Sequence, residues 1–324
     1  MINISSTKKK LWPKQVAVIV SDAPNIHMLI KELIRSSGWL VEESTTSVAR
    51  AAMLIKQGRA SILIADDTPT LPASKVIRHM LQDPITLLTP TISFLQENNK
   101  PEATALQRML TLQLVDKPLT PSKFMPAFIN LVRKWEQEPF LHLRRAAHLL
   151  CNSNDLSGVK MLLKINESPV AQHICAQTLS QILRRQGKIK EAENLLLTAL
   201  KRAPRELGTI LCLADLYMRC AMPKMAHRLL LSTRSSFGNS LIAIPDLIHA
   251  ALLMNKVDDA IDSLFILQRA NYCEEETNTY LARLLISEGR INEAETVLYN
   301  NKNSFKRILV GWEQAESQPM TVAS

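Results

Sequence analysis

The sequence predicts two units in tandem: an α/β domain on a parallel five-stranded sheet over residues 14–138, then an all-α solenoid of repeated helix pairs over residues 139–308. Three observations predict it. Short β-branched runs alternate with helical patterns through the first unit, as in a doubly wound sheet. Alanines stand at 192, 226, 260 and 294, one every 34 residues, a spacing typical of stacked helical repeats. Only 8 glycines occur in 324 residues, while Leu, Ala, Lys, Arg and Glu are plentiful, which favours helix over a loop-rich or all-β fold.

Residues 1–13 read as a basic tail holding the run Lys8–Lys10, with Lys14 beside it. Val16–Val20 is β-branched and ends at Ser21-Asp22, so it reads as the first strand. A helix follows, with Pro24 near its start and Ile26, Leu29, Ile30 and Leu33 on one face. Leu40-Val41 begins a second strand and Ser47–Gln57 is a second helix. Ser61–Ala65 is a buried-type third strand running into Asp66-Asp67. Thr91–Leu95, directly after Pro90, and Leu112–Val115, before Asp116-Lys117-Pro118, are the fourth and fifth strands. Pro121 suits the first turn of a last helix reaching Gln137.

In the second unit, Gly187-Lys188-Ile189-Lys190-Glu191-Ala192 returns as Gly289-Arg290-Ile291-Asn292-Glu293-Ala294, three periods later. Four residues after each alanine come Leu196, Leu230, Leu264 and Leu298. Ser180, Ala214, Ile248 and Ala282 stand twelve before, and Leu183, Tyr217, Ala251 and Leu285 nine before. Each unit thus reads as two short amphipathic helices with a small residue where they cross. The pattern Ala176, Leu179-Ser180, Leu183, Gly187, Ala192, Leu196, Ala199, Pro204 resembles the tetratricopeptide repeat family. The units are 139–172, 173–206, 207–240, 241–274 and 275–308, the first recognised only by Ala146, Leu149, Gly158 and Leu162. The family's aromatic at the fourth position is missing throughout, and Pro204 is the only closing proline in place. Phe305–Glu316 would cap the open end, and residues 309–324 form the cap and tail. The resemblance implies that the first helix of each pair lines a concave face that holds a partner protein. Gln177, Gln181, Arg184, Asp215, Arg219, His249 and Arg283 are the groove-lining candidates.

In doubly wound sheets the site lies at the carboxyl ends of the strands. Asp22, Asp66 and Lys117 fall at the ends of the first, third and fifth strands. Val20-Ser21-Asp22-Ala23-Pro24, Ile62–Asp66 and Asp116-Lys117-Pro118-Leu119 resemble the three signature elements of the receiver domain of bacterial response regulators. That resemblance implies a flavodoxin-like fold, phosphorylation of Asp66 by a histidine kinase or phosphotransfer donor, Lys117 on the phosphoryl group, and Mg2+ on Asp22 and Asp66. It also allows homodimers through the domain. The departures matter. Ser21 replaces the first acidic residue and removes a charge from the metal site. Leu95 or Gln96 stands where the family has a hydroxyl, and the segment after Asp66 lacks the M-P-x-x-x-G form. The fold is therefore a firmer expectation than the chemistry. Mg2+ binding is weak or absent if the domain is a pseudo-receiver, and Asp67 is the acceptor if the third strand runs one residue further.

Composition narrows the function classes. The first 135 residues hold 17 Lys/Arg against 10 Asp/Glu and the rest 22 against 20, so the +9 net charge is mostly N-terminal. A basic excess allows an acidic or nucleic-acid partner, but no helix-turn-helix reader, zinc spacing or aromatic RNP pattern accompanies it. The seven histidines are scattered, and no G-x-S-x-G, H-E-x-x-H or P-loop occurs, so the chain is expected not to be an enzyme beyond accepting a phosphoryl group. Five cysteines without C-x-x-C, no apolar leader and no membrane-length apolar run set the expectation of a cytoplasmic protein without membrane insertion. The expected function is a response-regulator-like signalling adaptor whose receiver domain, phosphorylated or not, controls protein binding by the repeat array. A non-phosphorylated assembly or secretion scaffold or chaperone is the alternative, and a nucleic-acid-binding regulator a weaker one.

Overall fold

The structure is a computed structural model that describes residues 15–95, 106, 111–136, 143, 147, 172–237 and 240–298. The basic tail, the C-terminal cap and tail, and most of the unit 139–172 lie outside the described residues.

Five strands, β1 (Val16–Val20), β2 (Leu40–Thr45), β3 (Ile62–Ala65), β4 (Thr91–Leu95) and β5 (Leu112–Asp116), form one sheet in the order β2-β1-β3-β4-β5. Every pairing is parallel. β1, β3 and β4 are buried along their length, which is why they read as continuous apolar runs rather than alternations. Helices α1 (Pro24–Ser36) and α5 (Pro121–Trp135) cover one face, packing Ile30, Ile34, Phe124, Phe128 and Leu131 on Ala17, Ile19, Ile64, Ile92 and Phe94. Trp39 meets the edge of Phe128 with ring centroids 5.4 Å apart, and Phe124 stacks on Phe128 at 5.8 Å. Helix α2 (Val48–Lys56) lies on the other face with α3 (Ala73–Met80) and the short α4 (Pro84–Leu87). The expected strands and flanking helices agree with these bounds to within two residues, but α3 and α4 fill a stretch where the sequence reading places no element.

The second unit is a stack of helix pairs: α6 (Gln172–Arg185) with α7 (Ile189–Arg202), α8 (Leu207–Arg219) with α9 (Pro223–Phe237), α10 (Ile244–Leu253) with α11 (Val257–Arg269), and α12 (Glu274–Ser287) with α13 (Ile291–Val297). Ala192, Ala226, Ala260 and Ala294 are all 0% exposed, each within the apolar core of the stacked pairs. Leu196, Leu230, Leu264 and Leu298 are buried beside them.

The turn between paired helices repeats as faithfully as the core. Gly187, Ala221, Asn255 and Gly289 stand at the same position of successive units, and all four have positive φ, between 55° and 76°. At each turn the following residue donates its N–H to a carbonyl five back: Lys188 to Leu183, Met222 to Tyr217, Lys256 to Ala251 and Arg290 to Leu285, at 2.8–2.9 Å. These are Schellman caps, which satisfy the last carbonyls of the first helix and aim the chain into the second. Glycine enters the left-handed region without steric cost, whereas alanine does not. Ala221→Gly should therefore stabilise the fold by about 0.5–1 kcal/mol, strain relief outweighing the added freedom of the unfolded chain. Ala226→Leu should destabilise it by about 1–3 kcal/mol through overpacking of that apolar core. Urea midpoints of the two variants should move in opposite directions.

Candidate functional site

The ladder brings the carboxyl ends of β1, β3 and β5 together. Val20 pairs with Ala65, the Asp66 N–H donates to the Val20 carbonyl at 2.9 Å, and the Lys117 N–H donates to the Leu95 carbonyl at 2.9 Å. Asp66 is completely buried. Its Oδ1 accepts from the Asp67 N–H at 2.9 Å and pairs with Lys117 Nζ at 2.8 Å. Its Oδ2 accepts the Ser21 hydroxyl proton at 2.8 Å. Lys117 Nζ also donates to the Asp67 carbonyl. A buried carboxylate is costly unless its charge is paired and its lone pairs are met, and here both conditions hold.

The sequence-predicted Asp66 and Lys117 are thus brought into contact, while Asp22 is engaged with other partners. Its Oδ2 accepts from the hydroxyls of Thr68, at 3.0 Å, and Thr70. The donor set does not fit a magnesium ion in this arrangement. A divalent cation needs several converging oxygens, but both Asp66 oxygens are taken up by N–H and O–H donors and Asp22 Oδ2 is held by two threonines. Among the described residues no three acidic, His or Cys side chains gather in a metal-ligating group. Ser21 is the residue that makes the difference: it puts a donor where a further acceptor would be needed.

The acidic site is tied to α3. Asp67 offers its N–H to Asp66, and its own Oδ1 accepts from the Ala73 N–H, at the start of α3, at 3.0 Å. That helix has two apolar sides. Val76 and Met80 pack towards the sheet with Val18, Leu63 and Leu54. Ala73, Ile77 and Leu81 pack against Leu207, Ile210, Leu211, Ala214 and Leu247, from the first helices of two repeats.

Polar contacts fix the same interface along its length. Lys75 Nζ donates to Glu276 Oε2 at 2.9 Å. Arg78 donates from Nε to Asp246 Oδ2 at 3.0 Å and from Nη2 to Oδ1, a fork-to-fork pair. Gln181 Nε2 donates to the Leu81 carbonyl. Burial works against the Arg78 charge, but Asp246 outweighs it and holds the guanidinium above its ordinary pKa. A cavity of about 30 Å³, room for about one water, lies among Arg78, Gln181, Asp215 and Asp246.

The seven groove candidates divide accordingly. Gln177 and Gln181 are buried, Gln177 donating to Glu206 at 2.8 Å and Thr209 at 3.1 Å. Asp215 pairs with Arg219 at 2.9 Å beside the small cavity. Arg184 is half-buried, while His249 and Arg283, in the register of Gln181 and Asp215, are exposed. Reading by period found these positions but missed Asp246 and Glu276. Both stand in the first turn of a helix, where a carboxylate is ordinary because it complements the helix dipole.

No model of a known protein family matches the chain, and no curated protein matches it. A solved structure titled MamA MSR-1 C2 is similar to it, at 17% identity and a TM-score of 0.38, over 51% of this chain and 95% of that one. A likeness of that size carries no argument about fold or function. Among the described residues no helix is long and apolar enough to cross a membrane.

Asp83 supplies a second tie between the units. It caps α4 through the Ile85 N–H at 2.9 Å and pairs with Lys56 of α2 at 3.1 Å and Arg185 of α6 at 2.6 Å. Burial alone would raise its pKa, but the Ile85 N–H, Lys56 and Arg185 together hold it below the ordinary carboxylate value. A depressed folded-state pKa contributes stability above the unfolded value, and that stability is lost as pH falls below about 4. Asp83→Asn keeps the cap and removes the charge. It should lower the urea midpoint at pH 7 and flatten its decline between pH 7 and pH 3.

Proposed function

We propose that this chain is a protein-interaction adaptor in which a receiver-like domain, working as a pseudo-receiver, controls access to a tetratricopeptide-type array. The observation that carries the reading is the seating of α3 against the first helices of the array, the face through which such arrays take their partners in the family the sequence resembles. The strand order 2-1-3-4-5 supports the flavodoxin-like assignment. The burial of Asp66, with both its oxygens engaged, supports the pseudo-receiver branch: a phosphodonor would have to displace Ser21 before reaching a carboxylate oxygen. On this reading the chain performs no catalysis, and its output is the occupied or open state of the groove.

The second branch, phosphoryl transfer to Asp66 from a histidine kinase or phosphotransfer donor, draws on the 2.8 Å contact of Lys117 with Asp66. Intact mass after incubation with a small phosphodonor and magnesium separates the branches. The pseudo-receiver reading expects no adduct. An adduct on the wild type that is lost in Asp66→Asn would transfer the proposal to the second branch.

Control of access has its own test. The full-length Lys75→Glu/Arg78→Glu double variant places like charges against Glu276 and Asp246. Amide hydrogen exchange in α8 and α10 should become at least about tenfold faster, a change of about 1.4 kcal/mol in local opening, while β1 and β3 stay protected. Unchanged protection in α8 and α10 would show that α3 does not act as a gate.

A further inference from the structure

What a groove recognises can be read from what it holds, and this one holds α3. We infer that the partner of the array is a protein presenting a basic amphipathic helix of the α3 pattern, which takes the place of α3 on the inner face. The inference rests on the proposed control of access and adds the chemistry of the ligand.

The occupant meets the groove with three small or aliphatic side chains, at i, i+4 and i+8, and two cations, at i+2 and i+5. The aliphatic row, Ala73, Ile77 and Leu81, lies on the floor made by Leu207, Ile210, Leu211, Ala214 and Leu247. The cations reach carboxylates on successive repeats, Lys75 to Glu276 of α12 and Arg78 to Asp246 of α10. At the far end Gln181 of α6 accepts the helix into the groove by donating to the Leu81 carbonyl, one of the acceptors a helix C-terminus leaves free. These contacts fix polarity as well as composition: the bound helix points its N-terminus towards the last described repeat and its C-terminus towards α6. A two-pronged Arg–carboxylate pair demands direction and angle, so Asp246 selects arginine over a diffuse positive charge.

The scale of the contacts leaves room for competition. Helix α3 spans only eight residues, and its ion pairs are partly exposed, the range in which such pairs contribute little. Its advantages over an incoming helix are its tether, an effective concentration in the millimolar range, and the packing of Val76 and Met80 on the sheet side. A longer helix can offset them by burying further apolar surface along the first helices of the array.

The probe is a fluorescent peptide of residues 71–89, titrated into the full-length chain and followed by anisotropy. It should bind the Lys75→Glu/Arg78→Glu variant at least about tenfold tighter than the wild type, whose own α3 fills the site. A peptide carrying Lys75→Glu and Arg78→Glu should not bind that variant. It should bind instead to the full-length Asp246→Arg/Glu276→Arg chain, whose groove charges are reversed; this second variant keeps the test valid if the first fails to fold.

Equal binding of both peptides would show that the groove reads only apolar surface, and the partner class would fall. Absence of binding to a variant whose α8 and α10 amides exchange rapidly would also overturn it, while leaving control of access standing. Absence of binding together with full protection of those amides would overturn both. A stable complex between the double variant and the wild-type chain would name a second copy, not another protein, as the source of the helix, and would overturn the inference in its present form.

Discussion

One short helix is asked to close two cores. Helix α3 and the Leu81 that caps it have apolar side chains at 73, 76, 77, 80 and 81, and none of the five is exposed. Val76 and Met80 complete the layer over the sheet, and Ala73, Ile77 and Leu81 complete the inner layer of the array. A helix of this length has no stability of its own in water. It exists because both neighbours bury it, and the two neighbours are joined because it exists. Continuity on the other face reinforces this: the cluster under α1 and α5 runs from Phe94 through Trp135, Leu143 and Ala147 into Ile174 and Leu179. The two units share their interiors.

The sequence was legible wherever a period ran long enough to average out local irregularity. Five strands and the four described helix pairs could be placed, because β-branched runs and a spacing of 34 are redundant signals. The left-handed turns suit the residue type at Gly187, Asn255 and Gly289; the same geometry at Ala221 is imposed by packing against residue type. Helix α3 was lost among Pro69, Pro72, Pro84 and Pro90, which punctuate its surroundings as a loop does. Yet its apolar spacing, i, i+3, i+4, i+7 and i+8, is that of an amphipathic helix. Of the seven positions marked on the first helices, Gln181 reaches Leu81, whereas Asp246 and Glu276, which meet α3, were not marked, since no period within the array records what lies against it.

At the acidic site, residue types could be read from the sequence and hydrogen bonds could not. The sequence put Asp66 and Lys117 at the carboxyl ends of two strands, and the structure pairs them directly at 2.8 Å. The orientation of Asp22 depends on the hydroxyls of Thr68 and Thr70, two residues in a loop whose path no local pattern fixes. Ser21 could be recognised as a missing charge, but its added role as a donor to Asp66 follows only from the closeness of the ends of β1 and β3. Through Asp67 that small network reaches the first turn of α3, so the carboxylate and the groove are separated by two hydrogen bonds.

Sharing α3 also constrains how the chain can be taken apart. Severed from the sheet, the array would present Leu207, Ile210, Leu211 and Leu247 to water as one continuous apolar strip, and the sheet would lose the cover over Leu95 and Leu112. Each fragment would then carry a sticky surface that the other was built to hide, and large exposed strips of this kind promote association with whatever is near. A partner caught by an isolated half would report that stickiness more readily than any native choice of ligand.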